Sequence, residues 1–129
     1  MSANFITEGS VVEPEARFAD VVELVNAYFD GLHTGDVDLL ASVFDAKASL
    51  QTEGLRLSRD EWLERVATRK PPVALGDSYE YEILDIDVAG NQGLARLRVP
   101  LLGKIYVDYL SVLKEGGRWQ VVNKLYAEA

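Results

Sequence analysis

No cysteine occurs in the 129 residues. That excludes a disulfide framework and a thiolate metal site, and it permits a reducing compartment. A single histidine, His33, excludes a histidine-rich metal site, and no spaced carboxylate cluster accompanies it. Neither a metal nor a cofactor is therefore expected. Uninterrupted apolar runs are only a few residues long, so no segment reads as a membrane span. No basic stretch leading into an apolar one follows Met1, so no secretory signal is expected, and a cytoplasmic location is. Basic residues are also scarce: 13 Lys and Arg against 21 Asp and Glu leave a net charge of −8. Such a chain is poorly suited to nucleic acid or to an anionic membrane surface, and its acidity serves solubility. The glycine-rich phosphate loop, the serine elbow and the paired-histidine zinc helix are all missing.

What is present is the composition of a folded domain, 48% apolar and 26% charged. The length suits one domain with a core of its own. Residues 1–14 have no clear period and read as a flexible arm, and the domain is expected over 15–129. Phe18, Val21, Val22, Val25, Tyr28, Phe29 and Leu32 recur at spacings of three and four, one stripe of a helix. Gly35 suits its left-handed end. Asp36 can cap a short second helix carrying Leu39, Leu40, Val43 and Phe44. Residues 48–52 and 55–57 read as two short strands about a Glu53-Gly54 turn. Ser58 and Glu61 form a capping box for a third helix that buries Trp62, Leu63 and Val66. Pro71 and Pro72 end it, and Arg69-Lys70 before them reads as a charged helix end.

The remainder reads as strands over 79–88, 92–102 and then a hairpin about Gly116-Gly117. In the second of these, Arg96 and Arg98 alternate with Leu97 and Val99, and Pro100 predicts an edge or a bulge. Helices first and a long strand meander after them predict an α+β fold with the helices packed on one face of a curved antiparallel sheet. Asp108 is the odd residue of the hairpin, an acid between apolar neighbours. Acids are poor strand formers and costly to bury, so its position asks for a reason. Strand alternation places Tyr106, Asp108, Leu110 and Val112 on one face. On the last strand Lys124 and Tyr126 alternate with Val122, while Asn123 shares a face with Trp119 and Val121. Either set could turn inward.

The stretch Tyr28-Phe29-Asp30-Gly31-Leu32-His33-Thr34-Gly35-Asp36, leading into Val43-Phe44-Asp45 and Ala48, resembles the opening of the nuclear transport factor 2-like superfamily. The hairpin from Asp108 through Gly116-Gly117 and Trp119 to Val122-Asn123-Lys124 is most similar to its putative lumazine-binding branch. The resemblance runs from about residue 16 to the end. It implies a cystatin-like α+β cone, a strongly curved sheet wrapped around three helices and enclosing a cavity. It also implies frequent pairing into homodimers through the outer sheet face, where Val107, Tyr109 and Leu113 are too apolar for a wet surface.

The superfamily also holds SnoaL-like polyketide cyclases and ketosteroid isomerase. The resemblance to the isomerase places Tyr28 and Asp108 at its oxyanion-hole pair, which donates hydrogen bonds to a developing enolate. Its base position falls at Thr52, which cannot take a proton from carbon. Glu53 is one residue off, and on a strand that turns the side chain to the other face. The implied machinery is incomplete. Three classes therefore compete. The first is a protein binding a small apolar or aromatic molecule; the second is an isomerase- or cyclase-type enzyme that polarises a carbonyl with Tyr28 and Asp108; the third is a dimerisation module. The candidate ligand wall is Trp62, Tyr106, Leu110, Lys124 and Tyr126. Each has a plainer reading as well: Tyr28 and Trp62 as core residues, Asp108 as an ion-pair partner of Lys124, His33 as a surface residue at a helix end.

Overall fold

The computed structural model describes residues 14–129, so the arm expected before Pro14 lies outside the described residues. Helix α1 (Pro14–Thr34) turns Val21, Val25, Tyr28, Phe29 and Leu32 into the core, while Phe18 stays about half exposed at its start. Gly35 ends it at φ 68°. Helix α2 (Val37–Val43) follows at once, capped by the Asp36 side chain, which accepts from Leu39 N–H at 3.0 Å. The two helices meet at Gly31, where a Cβ would lie 2.6 Å from Leu40. Only glycine permits that approach.

Strand β1 (Phe44–Thr52) begins earlier than its alternation predicts and turns back into β2 (Leu55–Ser58). The Ser58–Glu61 capping box opens α3 (Arg59–Thr68), with both reciprocal hydrogen bonds in place. A 3-10 turn at Pro72–Leu75, not foreseen from the prolines, then leads to β3 (Glu82–Ala89). Strands β4 (Gln92–Leu101), β5 (Lys104–Glu115) and β6 (Arg118–Glu128) complete one six-stranded, curved and unclosed sheet in the order β2-β1-β6-β5-β4-β3. The architecture is the expected α+β one, with one pair that departs from antiparallel: β1 runs parallel to β6. The chain returns to β1 only after the whole meander, which closes the core over the helices.

Pro100 lies beyond Arg98, the last β4 residue in register with β3, so β4 is a free edge on that side there. The meander's register also carries a bulge. Ser111 pairs with Asn123 but Val112 pairs with Val121, leaving Val122 extra. An extra residue reverses which face a strand presents. Trp119 and Val121 therefore face inward before the bulge, and Lys124 and Tyr126 after it; all but the half-buried Tyr126 are buried. The two sets that alternation leaves as rivals both serve the interior.

Candidate functional site

The inner face of the sheet is apolar at one end and polar at the other. Ala95, Leu97, Val112 and Val121 are closed off beneath α1. Toward the ends of α3 and β4 the helices no longer fill the sheet, and a cavity of about 190 Å3 opens. Its buried floor is Tyr28, Asp108 and Lys124, its walls include Trp62, Tyr106 and Tyr126, and its exposed members Arg65 and Leu102 mark the mouth.

Tyr28 is wholly buried, and its hydroxyl donates to Asp108 Oδ2 at 2.5 Å. Burial, followed by the neighbouring carboxylate, holds the phenol well above its usual ionisation. Lys124 Nζ lies 4.0 Å from the same oxygen, an ion pair too long for a hydrogen bond. The ammonium also sits 4.8 Å from the ring centres of both Trp62 and Tyr126 and 5.3 Å from that of Tyr28. Aromatic faces attract a cation and part-replace the water it has lost. Desolvation nonetheless lowers the Lys124 pKa, with Asp108 working against it. The floor is thus a carboxylate that accepts from a phenol and faces a caged amine.

Of the residues picked from sequence, Tyr28, Asp108, Trp62, Tyr106, Lys124 and Tyr126 all line this cavity. Leu110 does not. It shares the inner face but is sealed in the apolar core, one pleat deeper than Asp108, and contributes packing rather than a wall. Thr52 and Glu53 border a separate surface depression with Arg56 and Glu128. Glu53 is exposed at the turn, so it cannot stand in as a base within the cavity. Among the described residues, Asp108 is the only carboxylate on the cavity wall.

Two placements differ from expectation. His33 is buried rather than on the surface: its Nδ1 lies 2.8 Å from the Tyr81 hydroxyl and its ring packs against Tyr79 and Tyr81. This cluster pins the end of α1 and stands apart from the cavity wall. Arg69 does not simply end α3. It lines the cavity, half-buried, with its Nη2 buried and without a hydrogen-bond partner. Desolvation lowers its pKa, and the hydroxyls of Tyr28, Tyr106, Tyr81 and Tyr126 lie close enough to act on it. Its only sequence signal is a basic residue just past a helix whose far side is buried. Among the described residues no group of three or more histidine or carboxylate side chains is placed to hold a metal, and no helix is long and apolar enough to cross a membrane.

Comparison with known proteins gives the same fold. The family model described as "Putative lumazine-binding" matches residues 16–127. An NTF2-like protein of unknown function from Silicibacter pomeroyi DSS-3 is 25% identical, covers 92% of this chain and 100% of its own, and superposes with a TM-score of 0.76. A second, from Shewanella baltica OS155, is 20% identical over 92% of this chain and 98% of its own, with a TM-score of 0.78. A protein from Streptomyces avermitilis described as a putative dehydratase of the NTF2-like family is 16% identical over 91% of this chain and 99% of its own, with a TM-score of 0.65. The curated proteins contain no match.

Proposed function

The chain belongs to the "Putative lumazine-binding" family of the NTF2-like superfamily, and from that premise we propose that it is a small-molecule-binding protein whose cavity receives one small apolar or aromatic molecule with its polar end at the Tyr28–Asp108–Lys124 floor. The observation that carries this reading is the floor itself. A buried carboxylate, phenol and amine at the bottom of an open cavity are costly to desolvate, and apolar residues would fill the space at less cost. The size sets a bound on the occupant. An apolar cavity of about 150 Å3 holds benzene, so about 190 Å3 suits a single substituted ring. Steroid-sized ligands exceed it. Native mass spectrometry of the purified protein tests the reading directly. A co-purified small molecule that is retained by wild type and lost from Asp108→Leu supports it. Equal retention by both places the ligand elsewhere.

One observation favours a catalytic reading as a second. Among the described residues no other carboxylate faces the cavity, but Lys124 is a buried amine with a lowered pKa beside Asp108. A desolvated lysine can act as a base. Deuterium exchange at the α-carbon of a single-ring ketone, followed by NMR, separates the readings. Exchange that wild type accelerates and Lys124→Met does not makes this an isomerase- or lyase-type enzyme resembling the SnoaL-like proteins. No acceleration leaves binding alone.

A cytoplasmic homodimer completes the reading. The cysteine-free chain suits a reducing compartment. On the outer face Leu94, Tyr109 and Leu125 are exposed, and Tyr109 is in register with Leu125. Sedimentation at tens of micromolar, a range that detects weak interfaces, is expected to give a dimer that Tyr109→Glu dissociates. A monomeric wild type would remove this part.

A further inference from the structure

The cavity has the opposite charge to the protein that contains it. The chain carries a net charge of −8, yet among the described residues the charged groups on the cavity wall are Arg65, Arg69 and Lys124 against Asp108 alone. Asp108 is already engaged by the Tyr28 hydroxyl and the Lys124 ammonium. That leaves the two arginines in excess. Arg65 is exposed at the mouth, and Arg69 is half-buried and close enough to Tyr28 for the two to interact.

Arg69 carries the argument further than charge alone. The residue lines the cavity, its Nη2 is buried with no hydrogen-bond partner, and the ion pairs found among the described residues leave it out. A buried guanidinium N–H without an acceptor is unusual and marks a place where an acceptor belongs. Its position after the last turn of α3 accounts for a cation there, since the helix dipole favours one. It does not account for a side chain folded over a cavity with one donor unmet. A guanidinium presents paired donors in a plane, the geometry that grips a carboxylate by both oxygens. The same cavity is lined by Trp62, Tyr106, Tyr126, Val99 and Leu101, a wall suited to a flat apolar body.

Resting on the binding reading above, we infer that the occupant is an anion: a single-ring aromatic carboxylic acid, its carboxylate on Arg69 near the mouth and its opposite, hydroxyl- or carbonyl-bearing end at Tyr28, Asp108 and Lys124. The acidic outer surface then acts as a filter. It repels anions in general, and only one with an apolar body that fits the cavity recovers the cost inside.

Titrations followed by 1H–15N correlation NMR test this with 4-hydroxybenzoate and its uncharged isostere 4-hydroxybenzamide, on wild type, Arg69→Gln and Arg69→Lys. A charge-assisted hydrogen bond made in a partly dry site changes affinity by about ten- to a hundredfold. The acid is expected to shift the amides of Tyr28, Trp62 and Asp108 at a concentration at least about tenfold below that needed by the amide. Arg69→Gln should abolish this preference, and Arg69→Lys should keep part of it, while an unchanged spectrum elsewhere reports an intact fold. If acid and amide bind wild type equally, or if Arg69→Gln keeps the preference, the anion inference is overturned and the binding reading stands. If neither compound shifts the cavity amides, the single-ring binding reading fails and the inference fails with it.

Discussion

Two neighbouring pleats of β5 face the same helices and obey different rules. Val112 and Leu110 meet Leu97, Val121 and α1 in a core that water does not reach. Asp108 and Tyr106, further along the same face, meet a cavity. From Leu110 to Asp108 the strand, the face and the register are continuous, the bulge opposite Ser111 and Val112 lying deeper in the closed end. Fold energetics alone would extend the apolar row, because burying apolar area stabilises and burying charge does not. The contrast therefore assigns stability to one end of the sheet's inner face and recognition to the other, and each assignment can be broken separately.

The largest effect is expected at the closed end. Leu110→Ala removes a fully buried side chain from a filled core. It should cost about 2–5 kcal/mol by urea denaturation, the usual range for such a cavity. Whatever ligand the cavity takes should still bind to the fraction that stays folded, since Leu110 is not on its wall. Ligand affinity that collapses while stability holds would erase the boundary between the two ends.

Next comes the charged floor. Lys124→Met leaves Asp108 buried with only the Tyr28 donor, and breaking a buried pair costs about 3–5 kcal/mol. The lower end is expected, because 4.0 Å is a long ion pair. Replacing the whole cluster sharpens the test: Tyr28→Phe, Asp108→Leu and Lys124→Met together should recover most of the loss or exceed wild type, while abolishing ligand retention. A triple variant as unstable as the single one would show that the cluster is architectural, and the division of labour would fail.

Tyr28→Phe is the milder cut. It removes one hydrogen bond to Asp108 and no shape, for about 1–3 kcal/mol. Asp108→Asn should cost less than Asp108→Leu on the same scale, since an amide still accepts from the phenol. Equal losses in the two Asp108 variants would mean that the charge, and not the hydrogen bond, holds the floor.

How much of this was legible in the sequence follows from what kind of signal each residue leaves. The helical stripe placed Tyr28 inside, and strand alternation placed Asp108 on the face with Leu110 and Val112; both are local periodicities and survive folding. The capping box at Ser58 and the stop at Gly35 were legible for the same reason. The bulge at Val122 was not, because one extra residue leaves no mark in composition, yet it decides that Lys124 and Tyr126 face the cavity. Alternation gives Leu110 its face but not its depth along that face, so it does not separate a core residue from a cavity wall. Arg69 leaves no such mark, because a basic residue ahead of two prolines looks like any charged helix end. That its side chain lines the cavity depends on α3 packing against β1 and β2, which no local pattern contains. His33 was read as surface for a similar reason: the tyrosines that bury it lie 46 and 48 positions along the chain.

The smallest effect is on pH, and it separates the phenol from the amine. Burial holds the folded Tyr28 pKa well above the ordinary phenol value of 10.0, so the folded state holds this proton more tightly than the unfolded chain. Its contribution is complete below pH 10 and is lost as pH rises through the folded value. Lys124 has the opposite sign. Its folded pKa lies below 10.5, so between the two values the unfolded chain binds more protons and stability rises with pH. Tyr81, raised to about 12, and Tyr126 add to the fall above pH 10. Stability should therefore climb gently toward pH 10 and drop beyond it, each group contributing at most about 1.4 kcal/mol per pH unit. Urea midpoints measured from pH 7 to 11 resolve the two limbs. Lys124→Met should flatten the rising limb, and Tyr28→Phe should soften the falling one. Leu110→Ala should lower the whole curve and leave its shape alone, because the closed end holds no proton to exchange. A Leu110→Ala curve that changes shape would mean that the core and the floor titrate as one unit, and the boundary drawn across β5 would have to be abandoned.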